Sequence, residues 1–207
     1  QDNIDCHLLY TEDSYRDANY GLDWVNDVLN EKCKDKWCLV VDVDELLSIT
    51  SLSTLRDDMK ASNSNVCQTC LVEFYPKDPS KNYISGTPFT SHSNYFDSSE
   101  NCFSYFAQDA SLTIKGGMRQ RVFHFPEPVM LTKKSFFKYT FYDTHKVAAG
   151  YHWIFPKTFN NDWSTFKIVD WYKANKKITF YNDIILLQHF KFIKPNLKDY
   201  FLERVKR

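Results

Sequence analysis

Three acids crowd into four residues, Asp42-Val43-Asp44-Glu45, directly after the apolar run Trp37-Cys38-Leu39-Val40-Val41. Carboxylates this close repel one another and are costly unless a cation neutralises them. Hard oxygen donors of this kind suit Mg²⁺ or Mn²⁺, which complete their coordination with substrate phosphates. A lone D-x-D is a weak signal: with 19 Asp in the chain, chance supplies about 1.7 such pairs. Its position adds weight, because open α/β sheets take their ligands in the crevice beyond the carboxyl ends of the strands. The competing role is structural, with Asp44 as the N-cap of a following turn.

A second pattern is Gly116-Gly117-Met118-Arg119-Gln120-Arg121. On a strand, Arg119 and Arg121 face the same side and form a fork for a diphosphate. Gly116 and Gly117 permit a tight turn or a close approach of backbone to ligand. The alternative is a glycine-led hairpin with two solvated arginines. Of the six histidines, His189 lies in the apolar stretch Leu186-Leu187-Gln188-His189-Phe190 and is either a satisfied core residue or a ligand. His152 stands between Tyr151 and Trp153, rings that suit stacking on a sugar. His7, His92, His124 and His145 read as structural.

The elements that must position these groups follow from periodicity. Residues 6–10 read as a short strand, and Asp13 to Cys33 as a helix firm over 19–32, with Leu22, Val25 and Leu29 on one side. The continuous run 37–41 suits a central strand buried on both faces. Ser51 to Lys60 reads as a helix and Val66 to Tyr75 as a strand. Residues 77–110 read as a long packed excursion, rich in turn formers and interspersed with Tyr83, Phe89, Tyr95 and Phe96. The segment after Gly117 alternates like a strand, and 136–141 fits strand or helix. Residues 178–181 and 184–193 read as strands joined by a hairpin turn at Asn182-Asp183. The tail from Leu197 reads as a short basic helix.

Composition bounds the rest. A chain of 207 residues with 17% aromatics and 5 Gly has an ample core and is neither disordered nor collagen-like. The net charge of zero hides an asymmetry. Residues 1–110 hold 19 acids and 8 bases, a net of −11; residues 111–207 hold 7 acids and 18 bases, a net of +11. Either the halves neutralise one another by packing, or a site at their seam gathers acids for a cation and bases for a phosphate. A nucleic-acid binder is more often basic overall, so no nucleic-acid partner is expected. Cys67 and Cys70 lie in an apparent strand and point to opposite faces, so they cannot share a metal. The six cysteines read as free, mostly buried thiols of a reducing, cytoplasmic compartment. No stretch is long and apolar enough for a transmembrane helix, and no signal peptide is visible at the first residue.

WCLVVDVDELL resembles the D-x-D strand of GT-A glycosyltransferases, in the DxDE form of the family-2-like group associated with surface polysaccharides. The preceding YGLDWVNDVLNEKCKDKW is similar to that group too, as are GGMRQRVF, the pairing of LTKKSFFKY with GYHWI, and LLQHFKF, together spanning residues 14–195. The resemblance implies an α/β, GT-A-like (Rossmann-like) fold: a mixed, mainly parallel sheet flanked by helices, in one domain over 1–207. Its first nucleotide-binding βαβ unit is shortened or absent, since the chain enters at what resembles a later strand. It further implies a hexosyltransferase using Mn²⁺ or Mg²⁺, with a nucleotide-sugar donor (a UDP-sugar favoured), a glycan acceptor, and any membrane association peripheral. Asp42, Asp44 and His189 would hold the metal. Arg119, Arg121, Gly117 and His152 would serve the donor and its phosphates. An inverting reaction needs a carboxylate base, for which Glu73, Asp97 and Asp143 are the candidates. Two other readings stay open: a metal-dependent phosphate enzyme such as a nucleotidyltransferase, and a degenerate GT-A module that binds glycan or acts as a scaffold without turnover.

Overall fold

Val25 and Leu29, four residues apart, give helix α1 (Ala18–Lys32) an apolar side. Leu29 is buried among Cys38, Phe137, Tyr139 and Phe141. The computed structural model describes residues 18–78, 80–81, 83–97, 103–108, 111–123, 129–148, 152–158, 177–190 and 198–199. The expected strand at 6–10, most of the basic tail, Tyr151, Cys6, Cys102, His7 and His124 lie outside them. After α1 the chain reverses through Asp35 in the left-handed region (φ 61°), which a short polar side chain tolerates, and enters β1 (Trp37–Leu39).

β1 is followed by β2 (Glu45–Leu47), α2 (Leu52–Ala61), β3 (Val66–Tyr75), α3 (Phe89–His92), β4 (Tyr95–Phe96) and the hairpin β5 (Phe103–Gln108) to β6 (Ser111–Gly116). Then come α4 (Gly117–Phe123), β7 (Thr132–Lys138), the hairpin β8 (His145–Ala148) to β9 (Trp153–Pro156), and β10 (Phe180–His189). Six strands form one curled sheet of order β1-β7-β3-β10-β2, with β4 on the end of β3. The fold is mixed α/β as expected, but the sheet is not mainly parallel: among the described pairings only β3–β10 is parallel. β7 inserts antiparallel between β1 and β3. Strands β1, β3 and β10 therefore run one way, and β7 and β2 the other.

β1 is an edge strand rather than a central one, and Leu39 is 39% exposed. Its apolar run is explained by two local contacts instead: Cys38 is buried beneath α1, and Trp37 stacks on Phe136 at 5.3 Å. α2 begins at Ser51, whose hydroxyl accepts the Thr54 N–H at 3.3 Å, and sets Leu55 and Met59 on Cys67, Phe136 and Ile185. No hairpin forms at Asn182-Asp183. β10 is one strand whose pairing with β3 shifts register between Phe180 and Ile184. β2 covers only Leu187 to His189, so the flank of β10 at 182–183 is open and its polar residues bulge into solvent. The excursion is packed in its described part. Tyr83 meets Phe89 edge-on at 5.6 Å, Phe89 lies against Phe190, and Phe96 against Phe74. No helix among the described residues is long and apolar enough to cross a membrane.

Candidate functional site

The three co-directional strands deliver their carboxyl ends to one edge of the sheet, and most of the candidate residues meet there. Residues 40–44 cross that edge from β1 to β2. Val40 donates its N–H to Ser135 of β7 at 2.8 Å, and Asp44 accepts the Phe190 N–H beyond β10 at 2.8 Å. A flat sheet would hold β1 and β2 about 19 Å apart. Three extended steps and a four-residue turn reach only about 17 Å, so the curl of the sheet is what lets so short a crossing join its two edges. The turn is closed by Glu45 N–H to the Asp42 carbonyl (3.0 Å) and by Asp42 N–H to Glu45 Oε2 (3.0 Å). Glu45 then starts a strand, and α2 is capped by Ser51, so Asp44 is not a helix cap.

His189 ends β10 in register with Glu45 on one side and Glu73 on the other. Its Nε2 is 3.7 Å from Asp44 Oδ2, and its Nδ1 is 3.8 Å from Glu73 Oε1. Each other acid meets a base. Lys133 Nζ donates to Asp42 Oδ2 at 3.0 Å and to Glu45 Oε1. Arg119 Nε donates to Glu73 Oε1, and Arg119 N–H to Glu73 Oε2 at 3.0 Å. Arg121 grips Asp97 with Nε (3.1 Å) and Nη2 (2.7 Å), and Tyr75 donates to the same carboxylate at 2.8 Å. Apart from the Tyr75 hydrogen bond, every one of these contacts joins an acid of residues 1–110 to a base of residues 111–207. Part of the charge asymmetry of the sequence is neutralised at this seam. Burial pushes the Glu45 carboxyl above its ordinary value, and the Lys133 ammonium opposes that rise.

Arg119 and Arg121 do not form a strand fork. Residues 117–123 are a helix, where an i, i+2 pair diverges around the axis. Gly116 (φ 125°) and Gly117 (φ 77°) turn β6 sharply into it. A Cβ on Gly117 would sit 3.2 Å from Glu73 Oε2 and 3.3 Å from Leu131. This glycine therefore makes room for a carboxylate of the protein itself, which satisfies a backbone N–H in the first turn of α4. His152 comes near the site from β9's start, its Nδ1 hydrogen-bonded to the Thr132 carbonyl at 2.6 Å. Burial, with Lys133, Lys134 and Arg119 adding to it, lowers its pKa to about 4, so it is neutral. Trp153 offers no open face to a sugar: it is buried, with Phe155 at 6.1 Å and the Lys134 ammonium 4.9 Å from its ring centroid. Asp143 lies at the opposite end of the sheet, past β7, where Tyr139 and Lys138 bond residues flanking the amino ends of β1 and β3.

Among the described residues no group of three or more His, Cys, Asp or Glu is arranged to hold a metal. Asp42 is committed to Lys133, which leaves Asp44 and His189 facing each other. One carboxylate and one imidazole fit Mn²⁺ or Mg²⁺ when substrate phosphates and water supply the remaining ligands. Sequence reasoning missed Lys133 and, with it, the buried ion pair of Glu45. The strand around Lys133, Thr-Lys-Lys-Ser-Phe-Phe-Lys, is largely polar and gives no sign that this lysine is buried; only the fold shows it, and an almost fully buried lysine is rare unless paired. Comparison with family models, with curated proteins and with solved structures finds no match to this chain.

Proposed function

We propose that this chain is a GT-A-like glycosyltransferase domain that moves a sugar from a nucleotide-diphosphate donor, with a UDP-sugar favoured, to a glycan hydroxyl. The observation that carries the reading is the convergence of Asp44, His189, Glu73 and Arg119 at the carboxyl ends of β1, β3 and β10. In such a transfer the bond from the sugar C1 to the β-phosphate oxygen breaks, and negative charge grows on the departing diphosphate. Asp44 and His189 would hold Mn²⁺ or Mg²⁺, which when bound supplies positive charge to that leaving group. Arg119 and Lys133 keep the surrounding carboxylates neutralised, and Arg121, half exposed and bound to Asp97, would exchange that carboxylate for a phosphate. Of the base candidates, Glu73 is at this end of the sheet but bound to Arg119, Asp97 is bound to Arg121, and Asp143 is remote. The aromatic wall of Phe74, Phe89 and Phe96 beside the site supports an acceptor side facing sugar rings.

The test is a metal-dependent screen of nucleotide sugars, read as donor consumption with and without glycan acceptors. Transfer, or slow donor hydrolysis lost in Asp44→Asn, supports the reading. A specific observation favours the second reading, a non-catalytic glycan-binding module: Glu73 and Asp97 are both occupied by arginines. Glycan binding without consumption of any donor would establish that one.

A further inference from the structure

Asp42 and Glu45 present two carboxylates to one buried ammonium. Lys133 is 4% exposed, and Glu45 is 1% exposed. Both oxygens of Glu45 are used, one by Lys133 and one by the Asp42 N–H. The lysine therefore pins the side chain of the first acid and the backbone of the turn together. What a divalent cation would do for crowded carboxylates, a tethered monovalent cation already does. Asp44 differs: its carboxylate projects beyond this clamp, and its ionic contact among the described residues is with His189 at 3.7 Å.

We propose that Lys133 is the resident counter-cation of the acidic turn, holding Asp42 and Glu45 out of metal coordination and leaving Asp44 with His189 as the pair to which a divalent cation adds. Asp42 is then a positioning residue for Asp44 and no metal ligand. Two further properties follow. Cation affinity without a nucleotide is weak, because two protein ligands and a fixed positive neighbour are poor terms for binding. Removing the ammonium frees Asp42 and deletes that repulsion, so affinity must rise. The inference rests on reading the acidic turn as the cation end of the site, and its test does not use sugar transfer.

The experiment titrates the full chain with Mn²⁺ alone and counts free Mn²⁺ by electron paramagnetic resonance. Asp44→Asn should abolish the binding of the parent chain, whereas Asp42→Asn should leave it within about twofold. Lys133→Met should tighten it by about tenfold or more. The double change Lys133→Met with Glu45→Gln removes the clamp as a neutral pair, folds more stably than the single variant, and should retain the tightening. Lys134→Met, one residue away on the other side of β7, should leave affinity unchanged. If the parent binds no Mn²⁺ measurably, binding that appears in the two Lys133 variants supports the proposal when adding Asp44→Asn abolishes it, and overturns it when Asp44→Asn leaves it unchanged. It is overturned if Asp42→Asn weakens binding as much as Asp44→Asn, or if both Lys133 variants bind no tighter than the parent. A donor screen that finds no nucleotide sugar consumed would remove the glycosyltransferase reading and leave this result standing.

Discussion

Lys133 and Lys134 are consecutive in β7, both almost wholly buried, and live in opposite surroundings. Lys133 points into a clamp of two carboxylates. Lys134 has no hydrogen-bond partner among the described residues and lies over the ring of Trp153, at the rim of an aromatic cluster containing Phe137, Tyr139 and Phe155. Burial alone drives its pKa down to about 7. One side of the strand is therefore an electrostatic seam that needs its charge. The other is a hydrophobic core that tolerates an amine only by letting it give up its proton. The same residue type stabilises in one place and costs stability in the other.

The largest break in that contrast is expected at Lys133. Lys133→Ala leaves Glu45 buried without a counter-charge, which typically costs about 3–5 kcal/mol. Urea unfolding should read this directly, and Lys133→Met with Glu45→Gln should recover most of it. A loss under about 1 kcal/mol would mean that water reaches Glu45 and that the clamp is weak. Arg119→Ala acts on the same seam and should cost about 3 kcal/mol, at the low end of that range. The Arg119 backbone N–H still reaches Glu73 at 3.0 Å after the side chain is gone.

Lys134→Met tests the other side and should have the opposite sign, a gain on the order of 4 kcal/mol at neutral pH, from a pKa lowered from 10.5 to about 7 at about 1.4 kcal/mol per unit. The pH dependence makes the assignment specific. The folded chain releases the Lys134 proton near pH 7 and the unfolded chain near its ordinary 10.5. Between those values the unfolded state binds more protons, so stability rises with pH, by up to about 1.4 kcal/mol per unit from this group. The penalty is full below pH 7 and gone above 10.5. Thermal melts at pH 6.5 and 9.5 should show that rise in the parent and a flatter profile in the variant. His152 extends the profile downward. Its pKa falls from 6.5 to about 4 on folding, so stability is lost as pH drops through that window.

The contrast also separates what the sequence discloses from what it hides. Local patterns were sufficient for α1 and α2, which have a helical period and, for α2, the Ser51 cap, and for β3, which is rich in strand formers and stops at Pro76. The acidic turn, Arg119, Arg121 and His189 were legible as site candidates by residue type. Their partners were not, since Lys133 lies 91 positions from Asp42 and Arg119 lies 46 from Glu73. The segment after Gly117 reads as a strand from its sequence but is a helix, because seven residues, Gly-Met-Arg-Gln-Arg-Val-Phe, are too short a stretch to distinguish the two periods. The bulge at Asn182-Asp183 was misread as a turn because an exposed strand flank and a hairpin place the same polar residues in solvent. Asp143 was grouped with the site because only the antiparallel insertion of β7 reveals which end of the sheet it occupies.

Arg121 gives the smallest expected effect on stability and the sharpest test of the seam. Its side chain is 49% exposed, although it holds Asp97 with two donors. Asp97 is only 8% exposed, so the pair is worth more than a fully exposed one, about 1–2 kcal/mol, and Arg121→Ala should lower the melting temperature by several degrees. Asp97 keeps the Tyr75 hydroxyl and does not become an orphaned charge. A diphosphate arriving at the carboxyl ends of β1, β3 and β10 would compete with Asp97 for the same guanidinium, and the exposure of Arg121 leaves room for the exchange. On that account the variant should lose about 1.5–3 kcal/mol of nucleoside-diphosphate binding while remaining folded. Calorimetry with UDP and Mn²⁺ separates the cases. A variant that binds UDP as the parent does makes Arg121 a surface tie for the excursion, and confines phosphate recognition to Asp44, His189 and the cation between them.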